Sequence, residues 1–237
     1  MSSIVPYIHT KDIHNLNSAN EIIPYLIELF KPESILDVGC GTGTWLKVAQ
    51  NYGVKDVLGL DGHFIQDEQL EIDKSYFKAF DLQKVLNLGR KYSMIFCLEV
   101  AEHLAENFAD NLISNLVTHS NIIVFSAAIP HQGGQNHINE QLFEYWIKKF
   151  GQHQYRPIDI VRDKFWNNSN IDWWYKQNIL VFTNNQELLA ILGSDKPINT
   201  YIHPDFFYEY VKEFEKLKKS LSSPLKLVYL IIKKYFF

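Results

Sequence analysis

The segment Asp37-Val38-Gly39-Cys40-Gly41-Thr42-Gly43 puts three glycines at alternate positions directly behind an apolar run, SILDV. Glycines so spaced suit a turn whose backbone meets a ligand at close range, because no Cβ stands in the way. Asp61 closes the next apolar run, with Gly62 behind it. A carboxylate at the end of that neighbouring strand can accept both hydroxyls of a ribose. A dinucleotide fingerprint, GxGxxG, would need glycine at position 44, where Thr44 stands. Asp37 favours a cationic ligand and is awkward for a pyrophosphate. An adenosyl ligand with an amino-acid tail therefore fits this turn better than a dinucleotide does; the bland alternative is a plain tight turn.

A second group of reactive side chains lies in CLEVAEHL, where Glu99, Glu102 and His103 are crowded together after an apolar run. A turn there could converge two carboxylates and an imidazole. That donor set suits a hard-to-borderline divalent ion, Mg²⁺ or Mn²⁺. The alternative is that Glu and His cap a helix and shape a pocket without metal.

These residues need a scaffold, and the pattern supplies one. Residues 18–30 read as a helix opened by a capping box, Ser18 with Glu21, and carrying Pro24 inside it. SILDVG (34–39) reads as a strand, 44–52 as a helix, and DVLGLDG (56–62) as a second strand. Further strands are expected at 76–82, 92–100 and 121–130, with helices at 105–118 and 139–150. Short apolar strands alternating with helices imply a parallel sheet covered on both faces. YRPIDIVR (155–162) and WWYKQNILVF (173–182) then read as two consecutive strands, an antiparallel hairpin at the sheet edge. Trp166, Trp173, Trp174 and Tyr175, with Gln177 and Asn178, would lie on that hairpin, packing into the core or stacking on a sugar. Residues 186–237 return to helix, broken at Pro204 and Pro224. The expected division is a domain over 1–185 and a C-terminal helical extension over 186–237.

The chain has 237 residues, 46% of them apolar, with 23 Lys plus Arg against 27 Asp plus Glu, a net charge of −4. That is enough core material to exclude a disordered chain. The acidic balance argues against a protein built to grip nucleic acid. Two cysteines, Cys40 and Cys97, are too few for a disulfide framework and lack zinc-type spacing, so a reducing, cytoplasmic setting is expected. Neither a signal peptide nor a membrane span is visible.

DVGCGTG resembles motif I of the class I S-adenosylmethionine (SAM)-dependent methyltransferases, and the order of later segments is similar across about residues 18–184. The resemblance implies an α/β, Rossmann-like, doubly wound sheet of seven strands in the order 3-2-1-4-5-7-6, with an antiparallel last strand. It also implies site roles. Gly39, Gly41 and Gly43 would line the methionyl part, Asp61 and Gly62 the ribose, Asp81 and Leu82 the adenine, and Leu98 and Glu99 would pass beside the cofactor.

Glu-x-x-Glu-His is similar to a pattern of two methyltransferase groups, the ubiquinone-pathway O-methyltransferases and the 3′-terminal RNA 2′-O-methyltransferases. In the RNA group a histidine after strand five completes a metal site. Here that role points to His137, in PHQGGQNHINEQ, with His131 as the substitute, so the implied ligands are Glu99, Glu102, His103 and His137. Without a metal, His103 or His131 would serve as the base. The longer stretch through FSAAIPHQGGQNHINEQ and WWYKQN resembles bacterial methyltransferases of glycan and capsule assembly. It implies a saccharide, an activated sugar or a phosphoramidate-type substituent as acceptor.

Two rivals remain at this level: an NAD(P)-dependent oxidoreductase, and a SAM-binding partner subunit without catalysis. The charge balance leads to the expectation of no salt-sensitive RNA binding. The tail, SSPLKLVYLIIKKYFF (222–237), reads as an amphipathic helix too short to span a bilayer. It would dock on the domain or on a second copy in a homodimer, the preferred reading, or lie on an anionic membrane surface.

Overall fold

The computed structural model describes residues 15–63, 65–193, 197–221 and 228. The tail helix proposed for 222–237 lies outside the described residues, Val228 excepted. Two compact units are present, one ending at Thr200 and the other beginning at Tyr201.

The first unit is built on seven strands in the order β3-β2-β1-β4-β5-β7-β6. They are β1 (Ser34–Val38), β2 (Asp56–Asp61), β3 (Phe77–Ala79), β4 (Met94–Leu98), β5 (Ile122–Ser126), β6 (Arg156–Ile158) and β7 (Leu180–Thr183). β1 pairs in parallel with β2 and β4, while β7 runs antiparallel to both β5 and β6. The Rossmann-like order and the reversed strand are as expected. All five residues of β1 and of β4 are buried, because helices cover both faces of the central strands.

Side-chain alternation divides the core in two. On one face Ile35, Phe96, Val124 and Val181 pack with Ile22, Ile23 and Leu26 of α1 (Asn17–Phe30) and with Leu46 and Val48 of α2 (Thr44–Asn51). On the other, Phe125 and Phe182 meet α4 (Phe143–Gly151), which follows α3 (Ala109–His119). The Phe150 and Phe182 rings stack at 4.0 Å, and Phe125 stands 5.3 Å from both Trp146 and Phe150. Each such buried ring contributes roughly 1.5–3 kcal/mol through removal from water.

Three local expectations are corrected. Ser18 and Glu21 do not form a capping box. Both lie inside α1, which has no side-chain cap, and they bond instead to a distant loop. Ser18 Oγ donates to Asp172 Oδ2 at 2.7 Å, and Glu21 accepts from the side-chain amides of Asn168 and Asn170, each at 2.9 Å. The second correction concerns WWYKQNILVF, whose first part is the helix α6 (Trp173–Asn178) and only its end the strand β7. The aromatic residues are therefore helical, and Tyr175 packs edge-on against Trp45 at 5.1 Å. Thirdly, β6 ends at Ile158 and gives way to α5 (Val161–Phe165), so β6 and β7 pair across two helices rather than through a hairpin turn.

α7 (Gln186–Leu192) follows β7 in the first unit, and Gly193, at φ +77°, closes it. The second unit contains α8 (Pro204–Leu221), with proline at its first position, where a missing N–H costs no helical bond. Among the described residues no helix is long and apolar enough to cross a membrane.

Candidate active site

The glycine loop joins β1 to α2 at the carboxyl edge of the sheet, where open α/β sheets receive ligands. Gly39, Gly41 and Gly43 all have positive φ, +80°, +53° and +84°. Close packing fixes two of them as well. A Cβ on Gly39 would lie 2.9 Å from Val100 Cγ1 and nearer still to Cγ2, and one on Gly43 would lie 2.7 Å from Ile72 Cγ1. Ile72 was not singled out from sequence. It reaches the loop because Glu71 N donates to Thr42 O at 2.8 Å.

The loop is tied to β2 from two sides. Gly39 N and Cys40 N donate to Leu60 O at 2.7 and 3.0 Å. The Asp61 carboxylate accepts from Gly41 N at 2.7 Å and from Gly62 N at 2.6 Å. Asp37 is 3% exposed, and its Oδ2 has no hydrogen-bond partner. Burial, then the charge of Asp61, holds its carboxyl well above the usual carboxylate range. An unsatisfied buried acceptor beside the loop is what a cationic ammonium would repair.

The Asp81-Leu82 pair stands next to Asp61, since Phe80 N donates to Asp61 O at 2.7 Å. Asp81 itself is half-exposed, accepting from Gln83 N and paired with Lys84 at 3.7 Å. Leu98 ends β4 in the core. Glu99 follows with a left-handed backbone, φ +54°, its N–H donating to both the carbonyl and the hydroxyl of Ser126 at 3.1 Å. Its carboxylate turns to two amides, Gln132 Nε2 at 3.0 Å from Oε2 and Asn178 Nδ2 at 3.2 Å from Oε1. Burial raises the Glu99 carboxyl, and the bonds from Ser126, Asn178 and Gln132 pull it back.

Glu102 is fully buried, and neither carboxylate oxygen has a hydrogen-bond partner. Burial and then the charge of Glu99 push its carboxyl well above the ordinary range. One ligand-capable atom each from Glu102, His103 and His137 lie within 4.8 Å of one another. The two imidazoles meet edge to face at 4.9 Å. Glu99 stands outside this trio. The His131 side chain is exposed, and only its backbone N–H is engaged, donating to Glu140 Oε2 at 2.7 Å. The residues that sequence reasoning missed are polar loop or strand-end positions: Gln132 and Ser126 meet Glu99 from 33 and 27 residues away, and Glu140 gathers donors from its own loop.

Residues 13–178, well over half of the chain, match the sequence profile of the family described as methyltransferase domain. The chain belongs to that family. It is a methyltransferase, which sets aside the dinucleotide-dependent oxidoreductase. Solved structures agree on the fold. One is a SAM-bound amino pentose methyltransferase from Micromonospora echinaspora, involved in calicheamicin biosynthesis. It is 12% identical, with a TM-score of 0.54 over 76% of this chain and 99% of its own. Another is the plantazolicin methyltransferase in complex with SAH and a monoazolic desmethyl analog. It is 18% identical, with a TM-score of 0.53 over 74% of this chain and 87% of its own. A comparison with curated proteins finds no match.

Proposed function

We propose that this methyltransferase transfers the methyl group to a hydroxyl of a carbohydrate-type acceptor, a glycan precursor of capsule or surface polysaccharide, with a divalent ion assisting. The observation that carries the metal reading is Glu102, sealed from water with two unpartnered oxygens beside two imidazoles. A buried carboxylate with no donor is costly unless a proton or a cation occupies it. The donor set, one carboxylate and two histidines, suits Mg²⁺ or Mn²⁺, and Glu99 stands close enough to couple electrically to Glu102.

In this reading Gly39, Gly41 and Gly43 hold the methionyl part, with Asp37 accepting its ammonium. Asp61 and Gly62 take the ribose, Asp81 and Leu82 border the adenine, and Leu98 lies beside the cofactor. SAM supplies an electrophilic methyl on a sulfonium; a divalent ion supplies a lowered pKa to an oxygen bound to it. The protein's own part is to orient and to move a proton. Glu102, His103 and His137 would hold the ion beside the reacting hydroxyl; without an ion, His103 or His131 would be the base that takes the hydroxyl's proton. The amides of Gln132 and Asn178 are engaged with Glu99 and with each other, and so steady the loop beside the site. Net acidity and the two buried free cysteines support a small or glycan acceptor in a reducing cytoplasm rather than RNA.

The deciding experiment measures SAH release with candidate glycan precursors, with and without chelator. Turnover should stop in EDTA and return with Mn²⁺ or Mg²⁺. Full turnover in chelator would reject the metal and leave His103 or His131 as the base. A tight, salt-sensitive gel shift with RNA would overturn the acceptor class.

A further inference from the structure

We propose that Glu140 is the positioning residue that sets the tautomer of His137, leaving the lone pair of its Nε2 for the cluster with Glu102 and His103. This rests on the proposed role of that cluster, and one arm of the test stands apart from it.

Residues 127–142 cross from β5 to α4 without helix or strand, so the placement of His137 depends on side-chain anchors. Glu140 supplies three of them. Its Oε1 accepts from Gly133 N at 2.7 Å and from His137 Nδ1 at 3.0 Å, and its Oε2 accepts from His131 N at 2.7 Å. A carboxylate can only accept, so Nδ1 must carry the hydrogen. In the neutral ring the lone pair then sits on Nε2. Both side chains are largely shielded, 12% exposed for His137 and 18% for Glu140, so water competes poorly for the bond.

Other contacts fix the ring's place but not its tautomer. A Cβ on Gly134 would stand 2.5 Å from His137 Cε1 and closer to Nε2, so only glycine leaves room for the ring there. Ile138 N and Asn139 N donate to the carbonyl of Glu102 at 2.9 and 3.0 Å, tying the loop to the cluster. Glu140 alone among these groups dictates which nitrogen is protonated. Ligating a divalent ion and accepting a proton from a hydroxyl both need a bare nitrogen, so the wrong tautomer blocks either task.

The test uses the full chain labelled with ¹⁵N, without metal, at a pH about two units above the ordinary histidine value of about 6.5. Long-range ¹H–¹⁵N correlation should show His137 as the single Nδ1–H tautomer. Glu140→Gln replaces a pure acceptor with a group that also donates, so His137 should become a mixture of tautomers. Mn²⁺ titrated alone should then bind about 10- to 100-fold more weakly, with SAM affinity unchanged. A wild-type His137 that is Nε2–H or mixed would overturn the proposal, as would a Glu140→Gln variant with wild-type tautomer and Mn²⁺ affinity. If neither protein binds Mn²⁺ but the tautomer shifts as expected, the metal reading fails and the positioning role of Glu140 stands.

Discussion

Gly39→Ala tests the geometry of the glycine loop most directly, because two separate penalties can be worked out and then separated. At φ +80° an L-residue meets its own carbonyl, a cost of roughly 1–2 kcal/mol. The new methyl would also stand 2.9 Å from Val100 Cγ1 and closer to Cγ2, in a packed part of the core. Such overpacking costs about 1–3 kcal/mol. Alanine lowers unfolded-state entropy and returns roughly 0.4–1 kcal/mol. The expected net loss is therefore about 1–4.5 kcal/mol, read as a shift of the urea midpoint at unchanged m-value. Val100→Ala in the same chain removes only the overlap, so the double mutant should recover about 1–3 kcal/mol relative to additivity. Gly53 also has positive φ, +97°, but open space around it, so Gly53→Ala should show the conformational cost alone. A Gly39→Ala cost equal to that of Gly53→Ala, or no coupling to Val100, would refute the packing argument.

The remaining predictions concern the site and one buried ion pair. Asp61→Ala should cost about 2–3 kcal/mol of SAM affinity by calorimetry, and an unchanged Kd would sink the ribose assignment. Glu102→Gln should flatten the pH dependence of stability in metal-free protein. Above the ordinary value of about 4.3 the unfolded chain releases the Glu102 proton while the fold retains it, so wild-type stability falls as pH rises. Parallel stability profiles for the two proteins, measured by urea unfolding from about pH 4 to pH 7, would refute the raised value. Arg162, 1% exposed, is paired with Asp159, donates from Nη1 to Asn199 O at 3.1 Å and lies over the Phe143 ring at 4.9 Å. Arg162→Ala should cost about 3–5 kcal/mol by stranding a buried carboxylate, and a loss under about 1 kcal/mol would show that water reaches the pair.

The sequence by itself determined the frame of the molecule. β1, the glycine turn and α2 were legible because each signal there is local: an apolar run, residues that tolerate positive φ, then a helical period. The alternation continued through β5, and so the sheet class, the glycine loop and Asp61 could all be placed without coordinates. α6 was not legible. Trp173, Trp174 and Tyr175 carry strand propensity, and the segment becomes a helix because Tyr175 packs on Trp45 while Ser18 holds Asp172 at the entry to the helix. The same distant bonds took Ser18 and Glu21 from the capping box their spacing suggested. At the candidate site, Glu99, Glu102, His103 and His137 were named from pattern, but the hold that Gln132 and Asn178 take on the Glu99 carboxylate, from 33 and 79 residues away, came only with the tertiary structure. Glu140 carries no motif at all, and its importance lies in three donors that converge on it only when the loop is folded. Periodicity and backbone preference are properties of neighbouring residues and can be read along the chain. Which buried carboxylate is satisfied and which is left bare depends on donors that only the packed tertiary structure brings within reach.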